Sequence, residues 1–120
     1  MERCFTPRTC ASGIRKFSKT YRAALMAIGK SPDVHIYDLN DRSLEFVKES
    51  SERNFITKVM YFYGTLGDDI TKKIFVTEIL EPGRHYSFWH FGVMETPTYK
   101  GKILEIYRKV NDMFQLEAYR

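Results

Sequence analysis

Cysteine is scarce in this chain: Cys4 and Cys10 are the only two in 120 residues. Two thiols cannot build a disulfide framework, and so low a count fits a reducing, intracellular compartment. A zinc ion wants four ligands, and no histidine lies near this pair to complete a set. Both cysteines therefore read as ordinary thiols, and no metal is assigned. Long hydrophobic runs are missing as well. No stretch approaches the roughly 20 apolar residues of a membrane span, and the N-terminus lacks the apolar core of a secretory signal. The expected location is the cytoplasm or nucleus, although an arginine-rich, acid-poor start also has the character of a mitochondrial transit segment.

The motifs that announce common chemistry are absent too. There is no G-x-x-x-x-G-K-[ST] or G-x-G-x-x-G to cradle a phosphate and no G-x-S-x-G to present a nucleophile. No cofactor is implied. Pro32-Asp33 ahead of a β-prone run suggests a nuclease metal site. That chemistry needs an acidic residue two positions before a lysine, and no lysine here has one. Gly64-Thr65-Leu66-Gly67 has the outline of a backbone-clamping GXXG loop, but Asp68 and Asp69 follow directly and would repel phosphate. Val34–Leu39 loosely resembles the first-strand signature of RNA-recognition motifs, and Phe75-Val76-Thr77 part of the second. The glycine and stacking aromatic of that second signature are replaced by Lys72 and Lys73, so no residues carry across.

Acidic residues are nearly missing from the front of the chain. The first thirty residues hold Arg3, Arg8, Arg15, Lys16, Lys19, Arg22 and Lys30 against Glu2 alone, within a total charge of +4. The remaining ninety are slightly acidic. Residues 1–11 show no period and read as an irregular basic arm before a single domain over 12–120. Ser12 is placed to cap a helix in which Ile14, Phe17, Tyr21, Leu25 and Ile28 recur at helical spacing. Arg15, Lys19 and Arg22 form a second stripe on nearly the opposite face, with Lys16 alongside. Gly29 offers a left-handed stop, and Pro32 forbids continuation.

Aromatic residues are abundant: nine Phe, eight Tyr and one Trp. The stretch from Lys72 to Met94 is rich in β-branched and aromatic residues on either side of Glu81-Pro82-Gly83-Arg84, a pattern that predicts a β-hairpin. Ile74, Val76, Leu80, Trp89 and Phe91 would share one face of it; Phe75, Ile79, Tyr86 and Phe88 would share the other. Phe55–Tyr63 and Val34–Leu39 also read as strands. Ser43–Arg53 carries both strand and helix patterns, with helix preferred. At the C-terminal end Thr96 and Pro97 mark a helix start. Ile103, Ile106, Tyr107, Val110 and Phe114 then line one face, Glu105 is spaced to pair with Lys109, and Gly101 argues for a start after it. The expected fold is α+β: a mostly antiparallel sheet of four to five strands with an N-terminal and a C-terminal helix packed on it.

Three functions follow as expectations. The first is a small non-enzymatic nucleic-acid-associated protein, RNA preferred over DNA. Its phosphate contacts would come from Arg3, Arg8, Arg15, Lys16, Lys19 and Arg22. The second is a protein–protein interaction module, an inhibitor or adaptor, using an aromatic-rich sheet surface. The third is a small phosphate- or nucleotide-processing enzyme, with His85 or His90 as acid–base and Arg84 as anion clamp. On an unbroken strand those two histidines would point to opposite faces, which separates them from any shared substrate.

Overall fold

An unbroken stripe of apolar side chains along the first helix begins the core. The structure, a computed structural model, describes residues 7–83 and 89–114, with side chains from residue 12 onward. Helix α1 spans Pro7–Ala27, and proline at its first position sacrifices only an N–H that would have no partner there. The arm expected over residues 1–11 is thus helical from Pro7 on. Phe17, Tyr21 and Leu25 are buried as their spacing requires, with Ile14 and Ala24 beside them. The helix closes as expected: Gly29 takes φ +85°, and Lys30 N–H reaches back to the Leu25 carbonyl at 2.8 Å.

Between α1 and the next helix the chain makes two short 3₁₀ turns, Ile36–Asp38 and Asp41–Leu44. The strand expected over Val34–Leu39 is replaced by the first of these. His35 and Leu39 keep extended backbones, and the turn between them buries Ile36. Asn40 caps the second turn reciprocally: its side chain accepts from the N–H groups of Arg42 and Ser43, while Ser43 Oγ accepts from its own N–H. The helix preferred for Ser43–Arg53 instead begins at its far end. Ser50 accepts a 3.1 Å hydrogen bond from Arg53 N–H and so starts helix α2, Ser51–Gly64.

Helix α2 occupies the segment expected as the strand Phe55–Tyr63. Ile56, Val59 and Phe62 face inward at intervals of three, and Thr57, Lys58 and Tyr61 face out. Asp68 then caps helix α3, Asp69–Ile74, by accepting a 2.7 Å bond from Thr71 N–H. That geometry, the backbone hydrogen bond first, holds the Asp68 carboxyl below the ordinary aspartate value. Without a break the chain widens into a π-helical segment, Phe75–Leu80, where Glu81 N–H bonds the Val76 carbonyl five residues back at 2.9 Å. Five of its six residues are buried, and it packs on both α1 and helix α4, which spans Thr96–Phe114. Each large apolar side chain so buried contributes on the order of 1.5–3 kcal/mol.

The hairpin centred on Glu81–Arg84 does not form. Its first arm is the buried helix just described. Pro82 and Gly83 end that helix, Gly83 at φ +82°. Of its second arm, residues 84–88 lie outside the described residues, and Trp89–Gly92 is a 3₁₀ turn. Among the described residues there is no strand at all. The α+β sheet of four to five strands is therefore corrected to an all-helical arrangement in which α1 packs on α2 and the π-helical continuation of α3 packs on both α1 and α4. The physical reason is cover. An apolar run enclosed on every side needs no two-residue period, and a helix buries it as well as a strand does. Helix α4 itself matches expectation, with Ile106, Tyr107 and Val110 buried and Glu105 3.7 Å from Lys109. It starts at Thr96, however, and runs straight through Gly101.

Candidate functional site: a basic helix face and an aromatic–lysine cleft

The helical period of α1 sets its apolar stripe inward and leaves its cations outside. Arg15, Lys16 and Lys19 are exposed and Arg22 is half-buried. Helix α1 contains no acidic residue, and none of these four cations forms an ion pair among the described residues. Successive positions 15, 19 and 22 follow one line down the helix. Of the other cations expected at this site, Arg8 lies on α1 with its side chain outside the described set, and Arg3 lies outside the described residues. The side chains of Cys4 and Cys10 are likewise outside it.

His85 and Arg84 lie outside the described residues. His90 is buried, its ring stacked on Tyr99 at 3.8 Å and 2° and its Nε2 3.4 Å from Thr96 Oγ1. It is a packing residue at the joint between the Trp89–Gly92 turn and α4. His35 is the histidine whose environment sequence reasoning missed. Its Nδ1 lies 2.6 Å from Glu81 Oε2, and the Glu81 carboxylate is itself only 3% exposed. Glu81 ends the π-helical segment, so this contact ties the loop before α2 to the core helix. Tyr21 shares the neighbourhood. Burial first, and the Glu81 charge second, push its phenol well above the ordinary tyrosine value. Its hydroxyl has no hydrogen-bond partner among the described residues.

A cleft of about 420 Å³ opens along α3, lined by Tyr37, Tyr63, Asp69, Lys72, Lys73, Val76 and Thr77. Three of these, at positions 69, 72 and 73, come from α3 and two, at 76 and 77, from its π-helical continuation, a spacing that gathers them on a single face. Both lysines are held by aromatic rings: Lys72 Nζ lies 5.3 Å from the Tyr63 centroid, and Lys73 Nζ 4.5 Å from that of Trp89. Tyr37 is fixed from behind by stacking on His35 at 4.9 Å and 6°. Partial burial and the nearby Asp69 charge raise the Tyr63 phenol above its ordinary value.

A polar group closes the floor of the cleft. Thr77 lines it with its Oγ1 buried toward the Tyr99 hydroxyl, which Trp89 Nε1 also approaches from outside the cleft lining. Behind Thr77, Tyr99 donates its hydroxyl to the Glu78 carboxylate in a short hydrogen bond. Burial, reinforced by that bond, pushes the Tyr99 phenol far above the ordinary value. The spacing of Asp69, Lys72, Lys73 and Thr77 is a helical-face signal present in the sequence, hidden by the strand reading of the same residues.

Among the described residues no group of three His, Cys, Asp or Glu is arranged to hold a metal ion, and no helix is long and apolar enough to cross a membrane. No protein-family model, curated protein or solved structure matches the chain.

Proposed function

We propose that this protein associates with nucleic acid, RNA in preference to DNA, and holds the phosphate backbone on the outer face of α1 without catalysing a reaction. The observation that carries the reading is the segregation of charge. Arg15, Lys16 and Lys19 stand in solvent on an acid-free helix, with no ion pair among the described residues to neutralise them. Cations on a line with no ion pair among the described residues can displace counterions from a polyphosphate, which makes association salt-dependent. Contacts of this kind position a partner but do not read its sequence. The aromatic-rich sheet surface on which an adaptor function would rest is not available in a helical fold.

The test is a salt series with an unstructured RNA oligonucleotide and a duplex DNA of the same length. Four cations engaged on a single strand correspond to a log–log slope of roughly −3. Arg15→Glu combined with Lys19→Glu should abolish binding while leaving the far-ultraviolet circular dichroism unchanged. Retention of full affinity by that variant would overturn the reading.

A further inference from the structure

We infer that the cleft along α3 is a binding site for a nucleoside monophosphate, separate from the α1 face. Its volume of about 420 Å³ falls within the range of small-molecule pockets. Its lining supplies the three kinds of contact such a ligand requires. Tyr37 offers a ring for a planar base: it is 54% exposed, yet its orientation is set by the stack on His35. Lys72 and Lys73, one helical position apart, bring two positive charges to the same wall for a phosphate group, against the single negative charge of Asp69. Thr77 closes the floor behind them, its hydroxyl buried toward Tyr99 rather than offered to the ligand.

Asp69 decides between a bare anion and a nucleotide. A carboxylate on the lining repels inorganic phosphate or sulfate, so a site for those ions alone would have no use for it. A ribose hydroxyl donates a hydrogen bond, and Asp69 is placed one helical turn from Lys72 to accept it. Base, sugar and phosphate thus meet Tyr37, Asp69 and the lysine pair. The lysines are now parked over Tyr63 and Trp89 at cation–π distances. Binding draws Lys73 away from the Trp89 ring toward phosphate, and Trp89 is the only tryptophan in the chain.

Intrinsic fluorescence therefore reports on the site directly. The full chain is titrated separately with adenosine 5′-monophosphate, adenosine and inorganic phosphate, with calorimetry as a second readout. Adenosine monophosphate should bind saturably with Kd below about 1 mM and change the Trp89 emission, while the other two bind at least about tenfold more weakly. Lys72→Ala with Lys73→Ala, and separately Tyr37→Ala, should each weaken binding about tenfold or more. Tyr37 is exposed and its truncation leaves the core intact, so at least one variant is informative if the lysine pair proves structural. Arg15→Glu with Lys19→Glu should leave this binding unchanged. No saturable binding of adenosine monophosphate by the folded protein, equal affinity for inorganic phosphate, or unchanged affinity in Tyr37→Ala and the lysine variant would each overturn the assignment.

Discussion

The backbone of Gly13 lies against the ring of Tyr107: a methyl group added at position 13 would sit 2.6 Å from Tyr107 Cζ and overlap its hydroxyl outright. Helices α1 and α4 approach one another here because there is no side chain between them. In an isolated helix Gly→Ala is worth up to about 1 kcal/mol of stabilisation. At this position overpacking opposes it, at about 1–3 kcal/mol. Gly13→Ala should therefore destabilise, measured as a lower denaturation midpoint with an unchanged m-value. Tyr107→Phe in the same chain should restore only part of the loss, since the ring carbon still obstructs.

Ser18 holds the wide turn of the core helix in place. Its Oγ donates a 2.9 Å hydrogen bond to the Leu80 carbonyl, buried and 62 residues away in the chain. Ser18→Ala leaves that carbonyl short of a partner and should cost about 1–2 kcal/mol by chemical denaturation. Thr20 provides the contrast. Its hydroxyl bonds the Lys16 carbonyl within its own helix at an exposed position, so Thr20→Ala should be neutral or slightly stabilising.

Burial separates two phenylalanines cleanly. Phe75 is fully enclosed and packs on Phe62 with ring centroids 5.1 Å apart, and Phe75→Ala should cost about 3–5 kcal/mol. Phe46 is 93% exposed, and Phe46→Ala should fall within about 0.5 kcal/mol of the parent. Equal losses at the two positions would contradict the packing described.

Tyrosine ionisation gives a pH dependence with a definite sign. Tyr21 and Tyr99 both have phenols raised above the ordinary value of 10.0, chiefly by burial. In the unfolded chain they ionise near pH 10. Their folded-state preference for the neutral phenol therefore contributes stability that is intact below about pH 10 and is lost as pH climbs toward the raised folded values. Ultraviolet titration should show these two ionising late, together with unfolding. Tyr21→Phe removes a buried hydroxyl with no partner among the described residues. It should be neutral or stabilising by up to about 1 kcal/mol at neutral pH and should reduce the alkaline loss.

The two helices with one apolar face were legible from their spacing. Ile14, Phe17, Tyr21 and Leu25 in α1, and Ile106, Tyr107 and Val110 in α4, are buried as their period predicts. The middle of the chain was misread because composition outweighed periodicity there. Phe55, Ile56, Val59, Phe62 and Tyr63 fall on a helical stripe, with Ser50 as its cap, yet their β-branched and aromatic character reads as strand. Ile74 to Leu80 is harder still. A run buried on all sides has no face to reveal, and only Asp68 with Asp69 ahead of it signals a helix start. The basic face of α1 was visible because charge is read directly from letters. The cleft was not, because Asp69, Lys72, Lys73 and Thr77 share a surface only once that segment is helical.

Enclosing the middle helix has a consequence for how the molecule can be divided. The π-helical segment Phe75–Leu80 leans on α1 from the first part of the chain and on α4 from the last. A polypeptide nicked in the connection at residues 65–68 should give two fragments that are each shapeless alone. Mixed in equal amounts they should recombine, the second fragment supplying the rod around which the first winds.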